Sequence, residues 1–129
     1  MTKNAFTQFV HGINTHDAGQ LHALMTPDHV FIDAHDNRME GKDKMKGGWQ
    51  GYFQFFPDYA LDLRDIYTEG DVVMAFGYAS GTYKGDTTNA NHFKIPVAIR
   101  AIIVNDGIKQ WQVYADTKIP FDIMSSAAK

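Results

Sequence analysis

In the first half of the chain, apolar positions recur with the period of an α-helix. One helix is predicted to end at Asn14, a second to run from Asp17 to Pro27, and a third to span 41–56. Three glycines weaken the third helix, so we expect its aromatic face to be anchored in the core. The apolar faces consist of Phe6, Phe9, Val10 and Ile13; Leu21, Leu24 and Met25; and Met45, Trp49, Tyr52, Phe53 and Phe56.

The second half alternates with a period of two, which is typical of β-strands. Strands are predicted at 30–33, from Ala60 onward, and over 72–84, 93–104 and 108–117. Within 72–84 the even positions are bulky and the odd positions are small, a pattern that suits strong curvature. The bulky set is Val72, Met74, Phe76 and Tyr78, and the small set is Ala75, Gly77, Ala79 and Gly81.

The last two predicted strands are joined by Asn105-Asp106-Gly107, a sequence typical of hairpin turns. Pairing Val104 with Ile108 places Ala101 opposite Trp111 and gives one apolar face for the core. The opposite face is half apolar and half polar, as subunit interfaces often are, so we predict a homodimer through this outer face. Its members are Ala98, Arg100, Ile102, Gln112, Tyr114 and Asp116.

Three helices followed by a long antiparallel meander predict an α+β fold, with the helices packed into a strongly curved sheet. No linker or repeat divides the sequence, so a single domain over 1–129 is expected. The 129 residues include no cysteine, which excludes disulfides, cysteine-ligated metals and a thiol nucleophile.

Charge and hydropathy exclude two further classes of protein. Lys and Arg number 12 against 15 Asp and Glu, and no basic tract is present, so nucleic-acid binding is not expected. The longest apolar run, Val72–Phe76, is far too short for a membrane span, and the N-terminus has no signal-like apolar segment. We therefore expect a cytoplasmic protein.

The aromatic content, 9 Phe, 6 Tyr and 2 Trp, is high for this length and can line a pocket as well as a core. Asp33 ends an apolar strand, and desolvation is expected to raise its pKa into the range of a general base. His35 is predicted to be catalytic with it, and either His35 or His92 is expected to be its hydrogen-bonding partner. Alternatively, Asp33 caps the following turn or pairs with Arg38. The predicted ligand-binding residues are Phe9, Phe31, Trp49, Tyr52, Phe53, Phe76, His92 and Trp111.

A metal site is not expected. Asp33 and His35 would need a third ligand, for which His92 is the nearest candidate. The remaining histidines, His11, His16, His22 and His29, are predicted to be solvated. Phosphate-binding, serine-hydrolase and metalloprotease motifs are missing from the sequence, so no cofactor is expected either.

Several local motifs, in this order, resemble the SnoaL-like branch of the NTF2-like superfamily over about residues 5–117. The resemblance implies a cone-shaped α+β fold with a pocket between sheet and helices, assembled as a homodimer. The motifs are Met25-Thr26-Pro27-Asp28-His29, Val30-Phe31-Ile32-Asp33, Gly41-Lys42-Asp43, Asn105-Asp106-Gly107-Ile108 and Trp111-Gln112-Val113-Tyr114-Ala115-Asp116.

The superfamily includes ketosteroid isomerases. Asp33 resembles, by its position, the general base of those enzymes. Their oxyanion hole needs a tyrosine and a protonated acid, and this chain carries Phe9 at one place and Val97 or Ala98 at the other. Without those donors the largest catalytic contribution is missing, which argues against steroid isomerisation.

Epoxide hydrolysis and polyketide cyclisation, two other activities of the superfamily, need charged residues at other positions. The resemblance implies that epoxide hydrolysis would need an Asp-Arg-Asp arrangement. The matching stretch of the second long strand, residues 76–79, carries no charged side chain, and Val113 stands where the last Asp would be. The resemblance implies that polyketide cyclisation would use a single acid/base aspartate near the end of the last strand, where Asp116 is the nearest match. Alternation places Asp116 on the outer face, where it would pair with Arg100 or Lys118.

From these residues we predict a pocket that binds a small apolar or aromatic ligand. If the protein is an enzyme, cofactor-free acid/base chemistry of the isomerase or cyclase type is expected, with Asp33 as the base. The alternatives are a binding module without turnover and a dimeric assembly domain.

Overall fold

The computed structural model describes residues 2–85 and 91–127. Its helices are α1 (Thr2–Asn14), α2 (Ala18–Leu24), α3 (Lys42–Phe55) and α4 (Lys118–Ala127). Its strands are β1 (Met25–Ile32), β2 (Arg38–Glu40), β3 (Ala60–Glu69), β4 (Val72–Thr82), β5 (His92–Val104) and β6 (Gly107–Tyr114), with a 3₁₀ turn at Tyr83–Gly85. The predicted α+β class is confirmed. No helix within these ranges is long and apolar enough to cross a membrane.

The six strands form one curved, unclosed sheet in the order β2-β1-β6-β5-β4-β3. All neighbours are antiparallel except β1 and β6, which run parallel. Register shifts in β3 and near the β5–β6 turn add local twist and bend the sheet. Helices α1 and α3 pack against the concave face, so the core lies between these helices and the sheet.

The predicted register of the β5–β6 hairpin is confirmed where Ala101 pairs with Trp111. Close to the turn it is wrong by one residue, because Val104 pairs with Gly107 instead of Ile108. The two intervening residues both have positive φ, 51° and 62°, which is the geometry of a two-residue type I′ turn. A bulge then restores the predicted pairing further from the turn.

Strand β4 turns its small side chains inward and its bulky ones outward. Val73, Ala75 and Ala79 are buried beneath the helices, whereas Met74 and Phe76 are exposed on the outer face. Alternation alone defines two faces but not which of them meets the helices. The small face lies inward because the concave side must also accommodate the helices and a cavity.

Three features of the chain were not predicted. Strand β1 begins at Met25, not Val30, and it tolerates Pro27 because its pairing with β6 is interrupted between these two positions. The three-residue strand β2 and the C-terminal helix α4 were also missed. Both are short, and their apolar periodicity is too brief to identify them.

His29 is fully buried, so its predicted solvation is wrong. Its Nδ1 lies 2.7 Å from the carbonyl oxygen of Ile108 and donates to it. Its Nε2 has no partner among the described residues. Burial lowers the pKa of His29, although the Ile108 carbonyl and the nearby charge of Asp28 act in the opposite direction. The folded protein therefore favours the neutral imidazole.

Candidate functional site

A cavity of about 410 Å³ lies between the inner face of the sheet and helix α3, and helix α4 forms part of its wall. Most of its lining is aromatic or aliphatic, and its polar side chains are few. The apolar lining includes Phe31, Met39, Met45, Trp49, Phe55, Phe56, Leu61, Phe93, Ile95, Val97, Ile99, Trp111, Val113, Phe121 and Met124. The polar groups are Asp33, His35, Tyr52, Tyr59 and Thr117.

Trp49 is the centre of the aromatic wall contributed by α3. Its ring makes edge contacts with Phe31 and Tyr52, at centroid distances of 5.9 and 6.2 Å, and lies 5.6 Å from Phe53. It is 6% exposed, and its indole N–H has no hydrogen-bond partner among the described residues. These contacts anchor the aromatic face of a helix that contains three glycines.

Six of the predicted site residues line the cavity. They come from two directions: the end of β1 and the turn after it on one side, and α3 and β6 on the other. The six are Phe31, Asp33, His35, Trp49, Tyr52 and Trp111.

The other four lie elsewhere. Phe9 is buried behind the cavity wall, with its ring 4.7 Å from that of Trp111. Phe53 faces away from the cavity and stacks on His16 at 4.2 Å. Phe76 lies on the outer face of the sheet. Helical spacing places Phe53 beside Trp49, but only part of the apolar face of a helix points into the cavity, and Phe53 lies at the edge of that face.

His92, the fourth, is exposed at the start of β5. Its Nδ1 lies 2.9 Å from the hydroxyl of Thr82, which in turn donates to Asp58 over 2.7 Å. This chain of hydrogen bonds ties the end of β4 to the residues that follow α3. His92 is therefore engaged away from Asp33 and His35.

Asp33 lies in the cavity wall and also caps the turn that follows β1, which was the alternative prediction for this residue. Its Oδ1 accepts from the backbone N–H groups of His35 and Asn37, at 2.8 and 2.9 Å, and its Oδ2 accepts from the Asn37 amide at 3.2 Å. These bonds shape the turn between β1 and β2. Within the described part of the chain, Asp33 bonds to His35 and Asn37 and not to Arg38.

The expected rise in the pKa of Asp33 is wrong. Burial does favour the neutral acid, but the N–H groups of Asn37 and His35 and the Asn37 amide stabilise the carboxylate and hold its pKa below the usual value. Asp33 is therefore ionised at neutral pH and is a weaker base than a desolvated carboxylate would be.

His35 connects this turn to helix α4. Its Nε2 lies 2.6 Å from the hydroxyl of Thr117, and its ring lies 5.0 Å from that of Phe121. His35 itself is exposed, so the cavity reaches the protein surface at this place. Asp116, just before Thr117, accepts from the backbone N–H of Lys118 at 3.0 Å and is exposed, as alternation predicts.

Sequence reasoning missed Tyr59 as a cavity residue. Tyr59 follows α3 and meets Tyr52 edge-on at 4.8 Å. Burial raises the pKa of Tyr52 to about 12 and that of Tyr59 well above its usual value. The available signal was the density of aromatic residues over 52–59, which continues past the end of the helix.

Within residues 2–85 and 91–127, no cluster of three or more His, Asp or Glu side chains is arranged to hold a metal ion. Asp33 and His35 share the cavity wall, but His92 is committed to Thr82.

Comparison with solved structures shows the same fold in several bacterial proteins. A protein with a ketosteroid isomerase-like fold from Catenulispora acidiphila, solved in complex with trimethylamine, is 21% identical, with 88% of this chain and 86% of that chain covered and a TM-score of 0.77. A candidate SnoaL-like polyketide cyclase from Shewanella denitrificans is 14% identical, with 97% of each chain covered and a TM-score of 0.82.

An epoxide hydrolase of the LEH-like type from M. tuberculosis is 14% identical, with 97% of this chain and 90% of that chain covered and a TM-score of 0.79. At such identities these similarities concern the fold alone. No curated protein matches the chain. The model of the SnoaL-like domain matches residues 6–119, nearly the whole length. The chain therefore belongs to the SnoaL-like family, within the NTF2-like fold.

Proposed function

We propose that this protein binds a small, mostly apolar, ring-bearing molecule in the cavity beneath α3. The observation that carries the proposal is the cavity itself: about 410 Å³ in volume and walled chiefly by aromatic and aliphatic side chains. Small-molecule sites typically have such walls, with a few polar groups that orient the ligand. Here Asp33, His35 and Thr117 form one polar group in the wall. Tyr52 and Tyr59 add two further hydroxyls that can orient a ligand.

A second candidate function is cofactor-free proton transfer with Asp33 as the base. It is favoured by the position of an ionised carboxylate in the wall of a mostly apolar cavity. Because hydrogen bonds lower the pKa of Asp33, its substrate would need an acidic C–H, such as one beside a carbonyl group. This candidate shares the binding site of the first and adds turnover.

The substitution Asp33→Asn distinguishes the two candidates. Asparagine keeps an acceptor oxygen for the turn but cannot take a proton. We expect binding of 2-tetralone, measured by calorimetry, to change less than about tenfold. If Asp33 is a base, deuterium exchange at the α-carbon of 2-tetralone, followed by NMR in D₂O, is accelerated by the wild type and not by the variant.

The matched control is Asp36→Asn in the same turn, since Asp36 is exposed, outside the cavity lining, and adopts a positive φ that asparagine tolerates. Equal exchange rates with and without wild-type protein would contradict the catalytic candidate. Failure of the wild type to bind either 2-tetralone or tetralin would contradict the pocket proposal.

We also propose that a second copy of the chain covers the outer face of the sheet. Tyr67, Met74, Phe76 and Tyr114 are exposed there, and the rings of Tyr67 and Phe76 are in contact at 6.1 Å. An apolar patch of this kind is typical of an interface. No nucleic-acid or membrane partner is proposed.

Introducing a charge tests this interface. Phe76→Asp is expected to convert a dimer to a monomer in sedimentation experiments at micromolar concentration, because it would place a carboxylate in the apolar contact. Ile119→Asp, on a somewhat more exposed residue of α4, is the control and should leave the mass unchanged. A monomeric wild type would contradict the proposed dimer.

A further inference from the structure

The feature on which this inference rests is the pair of tyrosine hydroxyls in the cavity wall. Tyr52 projects from α3 and Tyr59 from the segment after it, and both line the cavity. Their rings meet edge-on at 4.8 Å, so both phenol groups lie on the same part of the wall. The wall beside them is apolar, with Phe56 5.0 Å from Tyr52.

The two tyrosine hydroxyls have more hydrogen-bond donors than acceptors available to them in the protein. Two hydroxyls carry two O–H donors, and a bond between them uses only one. The hydrogen bonds among the described residues engage the backbone of Tyr52 and Tyr59 and give neither hydroxyl a side-chain or backbone acceptor. At least one O–H is therefore available to whatever occupies the cavity.

The protonation state supports a donor role. Burial raises the pKa of Tyr52 to about 12, so at neutral pH both hydroxyls keep their protons. A ligand therefore needs only an oxygen with a free lone pair to accept a hydrogen bond from these hydroxyls, and it need not be charged.

We propose that Tyr52 and Tyr59 form an acceptor-oxygen subsite, which selects ligands that carry a carbonyl or phenolic oxygen on the ring system. The proposal rests on the proposed pocket function and specifies its ligand class. Such a molecule would place its rings against Trp49 and Trp111 and its oxygen against the tyrosine pair.

The test compares two probes that share a ring skeleton. 2-Tetralone carries a ketone oxygen that only accepts, and tetralin lacks it. For the wild type we expect 2-tetralone to bind about tenfold more tightly than tetralin, as measured by calorimetry. The double variant Tyr52→Phe/Tyr59→Phe should lose this preference while retaining its affinity for tetralin, because both hydroxyls are removed and the rings remain.

Two further measurements separate a binding role from a structural one. The infrared carbonyl stretch of bound 2-tetralone should lie at lower wavenumber in the wild type than in the double variant, since a hydrogen bond weakens the C=O bond. Tyr67→Phe, which removes an exposed hydroxyl on the outer face, should change neither probe's affinity. Thermal melting establishes that each variant is folded, and the single variants replace the double one if it is not.

The outcomes are distinct. If both probes bind but the preference and the carbonyl stretch are the same in all folded variants, the tyrosine subsite is wrong and the pocket proposal stands. If neither probe binds the wild type, the pocket proposal fails and the subsite fails with it.

Discussion

Gly77→Ala is expected to destabilise the protein by about 3 kcal/mol or more, at the upper end of the cost of overpacking. Gly77 lies on β4 opposite the bulge of β3, where the pairing shifts between Leu63 and Asp65. A Cβ added there would lie 2.0 Å from the backbone oxygen of Asp62 and 2.8 Å from the Cα of Leu63. Backbone cannot swing aside as a side-chain end can, so the two strands would have to separate.

The matched control for this change is Gly47→Ala on α3. No atom lies within 4 Å of the Cβ that alanine would add at Gly47, and the position is in a helix interior. Alanine there should stabilise by about 1 kcal/mol, because it restricts the unfolded chain and favours the helix. Urea unfolding of both variants measures the difference. A loss smaller than about 1 kcal/mol for Gly77→Ala would show that the close approach of β3 and β4 is not rigid.

The stability of the protein is expected to fall with pH below about 6.5 because of His29. In the fold, burial lowers the pKa of His29 from its ordinary value of 6.5. The unfolded chain therefore takes up a proton at a pH where the folded chain does not. The stabilisation is complete above the unfolded pKa and is lost, by up to about 1.4 kcal/mol per pH unit, as the pH falls toward the folded pKa.

His29→Asn isolates this effect. The asparagine amide can donate to the Ile108 carbonyl in place of Nδ1–H, but it does not titrate. We expect the variant to lose about 1–2 kcal/mol at pH 8 through the smaller side chain, and to show a flatter profile between pH 7 and 5. Urea unfolding across this range gives both profiles. Parallel profiles would mean that protonation of His29 does not govern acid sensitivity.

The site illustrates how far residue patterns lead. The aromatic periodicity of α3 correctly directed attention to Trp49 and Tyr52, because a helix anchored despite its glycines must have a substantial packing partner. The same pattern could not exclude Phe53, which stacks on His16 at the edge of the stripe. Phe76 was predicted to line the cavity but lies on the outer face, because alternation along β4 does not decide which face of the sheet meets the helices.

Asp33 shows a different limit. Its position after an apolar strand correctly predicted a carboxylate in the wall of the cavity. The direction of its pKa shift was wrong, because it depends on three N–H donors supplied by the turn that Asp33 itself organises. Desolvation can be anticipated from apolar neighbours, whereas the balance between desolvation and hydrogen bonding needs atomic positions.

Local patterning alone was sufficient for the α+β class, the three N-terminal helices and most of the register of the last hairpin. Each depends on periodicity or on turn residues within a short stretch. The inward face of β4, the burial of His29, the meeting of Tyr52 with Tyr59 and the placement of α4 across the cavity emerged only in three dimensions. They result from contacts between distant segments, which no local period encodes. The cavity therefore becomes visible only when the helices are packed against the curved sheet.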